Sequence, residues 1–131
     1  YLSDPDYLKY KGFLTADTAH PFFELLYLPF TDNAPLPRFK DCARKGTIEE
    51  TGMVLYYTAQ CPYTSQYVPL IAKAARARGH ELTLHPITTT EQAQNAPAPY
   101  TTYSFFNNGR LVTHEIFSEK KFEKFLDSLP V

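Results

Sequence analysis

Met53-Val54-Leu55-Tyr56-Tyr57, then Thr58-Ala59-Gln60, then Cys61-Pro62-Tyr63-Thr64 is the stretch that decides the fold. The apolar and aromatic run 53–58 has the composition of a buried strand. From Ser65 to Arg78, Val68, Leu70, Ile71, Ala74 and Ala75 recur at helical spacing, which predicts a helix over 62–78 closed by Gly79. Cys61 therefore stands at a strand-to-helix junction, where unpaired amides and the helix dipole favour a thiolate. That is the setting of a redox or nucleophilic thiol. Thr64 occupies the last place of what would otherwise be a C-x-x-C pair.

Working outward, residues 51–131 alternate strand and helix throughout. Glu81-Leu82-Thr83-Leu84-His85 alternates cleanly and predicts a strand over 81–87, followed by a short helix over roughly 90–95. Tyr100–Phe106 and Arg110–Phe117 flank Asn107-Asn108-Gly109, a residue set that tolerates positive φ, and read as a hairpin. Ser118 caps a last helix whose Phe122, Phe125, Leu126 and Leu129 face inward. Upstream, 32–50 holds Pro35, Pro37 and a mixed-charge run and reads as a linker with one short helix near 39–45. Residues 1–31 give a helical start over 5–11, a turn near Asp17–Pro21 and a strand-like run over 22–28.

Composition bounds the function classes. The 131 residues are 44% hydrophobic and 15% aromatic with no Trp, which suits a packed globule and argues against disorder. A formal charge of -1 leaves no footprint for nucleic acid, and Lys73, Arg76 and Arg78 read as the solvated face of a helix. No apolar run approaches the roughly 20 residues a membrane-spanning helix needs. The chain opens at Tyr1 and shows no signal peptide. Cys42 and Cys61 do not make a disulfide framework, so a reducing cytoplasmic setting is expected. His20, His80, His85 and His114 have no ligand spacing with the cysteines, and no metal site is expected.

The order β-α-β-α-β-β-α with a cysteine at the first βα junction resembles the thioredoxin/glutaredoxin family over 51–131. Pro69 stands where that family kinks its first helix, and Pro99 where it carries a cis-proline beside the sulfur. Cys61-Pro62-Tyr63-Thr64 is closest to the glutaredoxin pattern C-P-Y-C. With threonine in the last place, internal dithiol exchange is excluded, and a monothiol route resolved by an external thiol is what remains. The chain departs from the glutathione-binding pattern: Ala96-Pro97-Ala98 replaces the Thr-Val pair before Pro99, and Val112-Thr113-His114-Glu115 stands where a Gly-Gly-x-x-Asp would follow. Cys42 reads as a free thiol more than as a partner of Cys61, a Cys42–Cys61 disulfide is the minor alternative, and an inert Cys61 at the helix N-terminus is as compatible with the sequence as a reactive one.

Gly12-Phe13, a turn, then Pro21-Phe22-Phe23-Glu24-Leu25-Leu26 is similar to the end of a GNAT-type acetyltransferase, where a last helix leads into Gly-Phe and two closing antiparallel strands. The whole chain resembles the YoaP-like proteins, in which a GNAT-type N-acetyltransferase domain carries a thioredoxin-like domain at its C-terminus. The match rests on Phe22–Phe30, Pro37-Arg38-Phe39-Lys40-x-Cys42, Cys61–Thr64, the segment from Gln94 to Tyr103, and Thr113–Phe122. The resemblance implies a division into 1–31 (the end of the acetyltransferase), 32–50 (linker) and 51–131 (thioredoxin-like). It implies acetyl-CoA for the parent protein and no cofactor here, because the pyrophosphate loop needs clustered glycines. Gly12, Gly46, Gly52, Gly79 and Gly109 lie far apart.

The reading that follows is an accessory domain that binds a protein or peptide partner at Cys61, Pro62, Tyr63, Thr64, Ala98 and Pro99, with single-thiol chemistry at Cys61. Tyr56, Tyr57, Tyr100 and Tyr103 are further candidates to line that cleft. The apolar strand 22–30 is expected to dimerise, to pack on the thioredoxin-like body, or both. A monothiol oxidoreductase and a purely structural or dimerisation module are the alternatives.

Overall fold

The computed structural model describes residues 4–130; Tyr1–Ser3 and Val131, the outer ends of the first and last segments above, lie outside the described residues. Among the described residues two sheets form, one of two strands and one of four, together with four α-helices and a 3-10 turn at Asp41–Ala43: an α/β architecture with a mixed sheet.

The larger sheet grows from β3 (Met53–Tyr57), whose alternate side chains enter two different cores. Met53 and Leu55 join Val68, Ile71, Ala74, Ala75, Tyr103, Phe105, Phe122 and Leu126 on one face. Val54 joins Ala98 and Phe106 on the other. β3 pairs in parallel with β4 (Leu82–Pro86) and antiparallel with β5 (Tyr103–Asn107), which in turn pairs antiparallel with β6 (Arg110–Thr113). The strand order is β4-β3-β5-β6. A parallel neighbour needs a crossover, and α2 (Pro62–Ala77) supplies it. With α3 (Thr90–Gln94) and α4 (Glu119–Ser128), the element order is the one read from the sequence.

Local chemistry explains the boundaries. The amides of Gly79 and His80 donate to the carbonyls of Arg76 and Ala75, a Schellman closure that requires Gly79 at φ +77°. Thr89 and Gln92 form a reciprocal capping box on α3, and Ser118 Oγ accepts from the Lys121 amide at the head of α4. The guanidinium of Arg78 pairs with Glu123 and Asp127, tying the end of α2 to α4. Pro69 lies inside α2 as expected. Leu70 does not belong to the buried stripe; it is exposed, and Thr64 takes a buried position instead.

The expected hairpin is shorter at both ends. β5 starts at Tyr103 because the preceding residues are committed elsewhere: Ser104 Oγ donates to the Tyr100 carbonyl at 2.6 Å. β6 stops at Thr113, whose Oγ1 accepts from the Glu115 amide and turns the chain.

The segment read as a linker is woven into the sheet. The Ile48 amide donates to the Gly109 carbonyl at 2.8 Å and the Leu111 amide to the Gly46 carbonyl at 2.9 Å, so 46–48 cover the outer edge of β6. A Cβ at Gly109 would lie 2.8 Å from the Ile48 carbonyl oxygen.

At the other end of the chain, α1 (Asp6–Tyr10) precedes β1 (Leu14–Ala19), which pairs antiparallel with β2 (Phe23–Tyr27). The turn expected over Asp17–Pro21 is in fact strand as far as Ala19. Asp17, a residue that favours turns, sits beside a bulge, and its carboxylate accepts from the Phe39 amide (2.9 Å), the Thr18 amide (2.9 Å) and Arg44 Nη2 (2.7 Å). The hairpin turn, 20–22, packs on the larger unit: the His20 amide donates to the Arg44 carbonyl at 2.8 Å.

Candidate functional site

Cys61 is the N-cap of α2, in extended backbone (φ -103°, ψ 125°), half-buried and a free thiol. Its side chain makes no capping bond; the Thr64 amide is satisfied by the Cys61 carbonyl at 3.0 Å. Pro62 follows at the first helical position, where its missing N–H leaves nothing unpaired. The sulfur is thus left unused by the helix terminus it sits on.

The loop carrying it is fastened to the segment before β5. The Thr58 amide donates to the Thr102 carbonyl at 3.1 Å, and Thr102 Oγ1 donates to Gln60 Oε1 at 3.3 Å. The loop 58–61 and the segment 99–102 therefore share one end of the sheet. Tyr63 is exposed and stacks on Tyr67 with centroids 6.4 Å apart. Pro99 is half-buried, whereas Ala98 is buried in the second core and presents no surface. Thr64 is wholly buried, and its Oγ1 has no hydrogen-bond partner among the described residues.

Three expectations need correcting. The Ala98–Pro99 peptide is trans, in keeping with the intrinsic preference of X–Pro bonds; the cis bond among the described residues is His20–Pro21. Tyr103 does not line the cleft. It is fully buried, its hydroxyl accepts from the Phe117 amide at 3.4 Å, and burial pushes its phenol up to about 12. Tyr56 also turns elsewhere: it stacks on His85 (4.7 Å), and both reach Glu50. His85 Nε2 lies 2.8 Å from Glu50 Oε1, which pins the strap 46–50 to the sheet. Cys42 is exposed and free; its thiol donates weakly to the Gln94 carbonyl at 3.7 Å, so neither cysteine is in a disulfide.

A second cluster at the same end of the sheet was not legible as one in the sequence. His114, just beyond β6, packs against Phe22 (5.1 Å), Phe23 (5.5 Å) and Tyr100 (5.4 Å). Burial lowers its imidazole below the ordinary histidine value. The N-terminal hairpin turn thereby reaches His114, which packs in turn on Tyr100, the residue next to Pro99. The only sequence signal was two adjacent phenylalanines after Pro21, which name no partner.

Among the described residues no three His, Cys, Asp or Glu side chains stand together in a way that could hold a metal ion, and no helix is long and apolar enough to cross a membrane.

Residues 82–124 match the family model described as YoaP-like. The chain is 39% identical over 129 residues, 98% of its length, to a Bacillus subtilis (strain 168) protein described as the uncharacterized N-acetyltransferase YoaP. The aligned part is 51% of that protein, so the chain spans about half the length of the curated relative to which it is similar.

Proposed function

We propose that this chain is the thioredoxin-like, C-terminal accessory part of a longer GNAT-type N-acetyltransferase, with Cys61 and the 99–102 segment forming a binding edge for a partner or peptide. The observation that carries it is the 39% identity running across nearly all of the chain but only half of the relative. The strand order β4-β3-β5-β6 with a cysteine capping the crossover helix supports a thioredoxin-like unit. The two-stranded β1–β2 sheet supports an acetyltransferase end: Leu14, Phe22, Leu28 and Phe30 are all exposed, and a two-stranded sheet holds poorly alone. In this reading acetyl-CoA belongs to the missing half, and the apolar hairpin is covered by it or by a second copy of the chain. The setting is cytoplasmic.

The test joins this chain to the half of the Bacillus relative it does not cover and follows CoA release from acetyl-CoA over a panel of amines. Release by the joined protein and none by residues 1–131 alone is expected. Release by residues 1–131 alone would overturn the accessory reading, and a folded joined protein silent with every amine would remove the acetyltransferase.

A monothiol oxidoreductase is favoured by one observation, the half-buried, uncapped sulfur of Cys61. Its test is alkylation of Cys61 in a Cys42→Ser background. A thiol that reacts no faster than a free cysteine in the same buffer would leave only the binding role.

A further inference from the structure

An open cleft of about 450 Å³ lies where the end of β1 meets the turn Asp41–Ala43, lined by Thr18, His20, Asp41, Arg44 and Lys45. Its walls are fixed to each other. The His20 amide donates to the Arg44 carbonyl at 2.8 Å, and the chain passes so close at Gly46 that a Cβ there would lie 2.7 Å from the His20 carbonyl oxygen. The Arg44 side chain is held as well. Its Nε donates to the Phe39 carbonyl at 3.3 Å and its Nη2 to Asp17 at 2.7 Å, which leaves Nη1 without a partner among the described residues. A guanidinium already held in place loses little freedom when a ligand arrives.

The charges on the wall decide what fits. Asp17, which does not line the cleft, offsets Arg44. That leaves Lys45, with no ion-pair partner among the described residues, and the fully exposed carboxylate of Asp41. Asp41 Oδ1 is 3.7 Å from Arg44 Nε, too far for a hydrogen bond. A ligand carrying one charge would be repelled by one of these groups, whereas a zwitterion complements both. The short span from Asp41 to Arg44 suits an ammonium and a carboxylate borne on one carbon. We propose that this cleft binds a free α-amino acid, its carboxylate on Arg44 Nη1 and Lys45 and its ammonium on Asp41, with Thr18 and His20 bounding the rest of the ligand. The site shares no residue with the Cys61 edge and depends on neither reading of that thiol.

The test titrates the nitrogen-labelled 131-residue chain with each of the common L-amino acids in turn and follows backbone amide shifts. At least one should move the amides of Thr18, His20, Arg44 and Lys45 to saturation while leaving those of β3 and β5 in place. The methyl ester and the N-acetyl derivative of that amino acid should each bind at least threefold more weakly. The same loss is expected for the free amino acid with Asp41→Asn and with Lys45→Gln; Arg44 is kept because it also holds Asp17. No saturable shift at those amides with any amino acid overturns the proposal. An N-acetyl derivative that binds as well means a plain anion site, an ester that binds as well means a plain cation site, and either overturns it. Variants that bind within threefold of the parent remove Asp41 and Lys45 from the site and overturn it too. Both substituted side chains are exposed, and the ester and N-acetyl titrations use the unaltered chain, so they decide even if a variant fails to fold.

Discussion

The two sheets of this molecule are held by different means. The four-stranded sheet has a core on both faces, and its central strands contribute side chains with no exposed surface: Val54, Leu55, Tyr103, Phe105 and Phe106. The two-stranded sheet buries only its turn-proximal residues, Ala19 and Phe23, while Leu14 at its far end is exposed. One sheet is stabilised by packing; the other depends on ties at its turn, namely Asp17 to Phe39 and Arg44, His20 to Arg44, and Phe22 and Phe23 to His114. A two-stranded sheet with no second layer gains little from burial, so its place is set by a few polar and aromatic contacts.

The largest expected effect tests that contrast directly. Phe105→Ala empties a site packed edge-on by Phe117, Phe122 and Phe125 and should cost about 3–5 kcal/mol in urea unfolding. Leu14→Ala should cost less than about 0.5 kcal/mol. Equal losses at the two positions would show that the hairpin carries hidden packing.

Much of the first sheet could be read in advance, and physics says why. Strand 53–57 is a continuous apolar run, helix 62–77 carries an apolar stripe, and Gly79 and Ser118 are strong boundary residues. What could not be read was tertiary. The end of β1 looked like a turn because Asp17 favours one; its backbone pairs with Leu25 instead, and the Phe39 amide and Arg44, 22 and 27 residues away, satisfy its carboxylate there. The linker looked free because edge pairing by 46–48 leaves no periodic trace. At the site, Cys61 and Thr64 stood out by spacing, but the burial of Ala98 and Tyr103 and the approach of Phe22 to His114 depend on packing between distant segments.

The strap over β6 gives the next effect in size. Gly109 has φ +84°, and a Cβ there would press on the Ile48 carbonyl. Gly109→Ala should cost about 1–3 kcal/mol and should speed exchange of the Ile48 and Leu111 amides before those of β3. Uniform acceleration across the sheet would mean the strap and the sheet open as one unit.

Tyr103 offers a smaller, pH-resolved effect within the packed sheet. Burial raises its phenol from 10.0 to about 12, so folding favours the neutral form. That contribution is complete below pH 10 and is lost as pH rises toward 12. Tyr103→Phe should abolish this alkaline decline while costing about 1 kcal/mol at neutral pH, because the Phe117 amide loses its acceptor. An alkaline decline unchanged in the variant would assign it to another group.

The smallest effect belongs to the joint between the two sheets. Burial lowers the His114 imidazole from 6.5, so the folded state favours the neutral ring. Stability from this source is present above the unfolded value and is lost as pH falls through the lowered folded value. The proton enters among Phe22, Phe23 and Tyr100, so the contact that weakens is the one holding the hairpin turn. Glu115, the neighbouring carboxylate, opposes the shift and keeps it modest. As pH falls below 6.5, amides in β2 should therefore lose protection relative to those in β3 and β5, by more than the change in intrinsic exchange. His114→Phe, which keeps a ring in the cluster but cannot take up a proton, should flatten that difference. If β2 and β5 keep a constant ratio across the range in both proteins, the hairpin is held by its polar ties at Asp17 and Arg44, and the aromatic cluster only fills space.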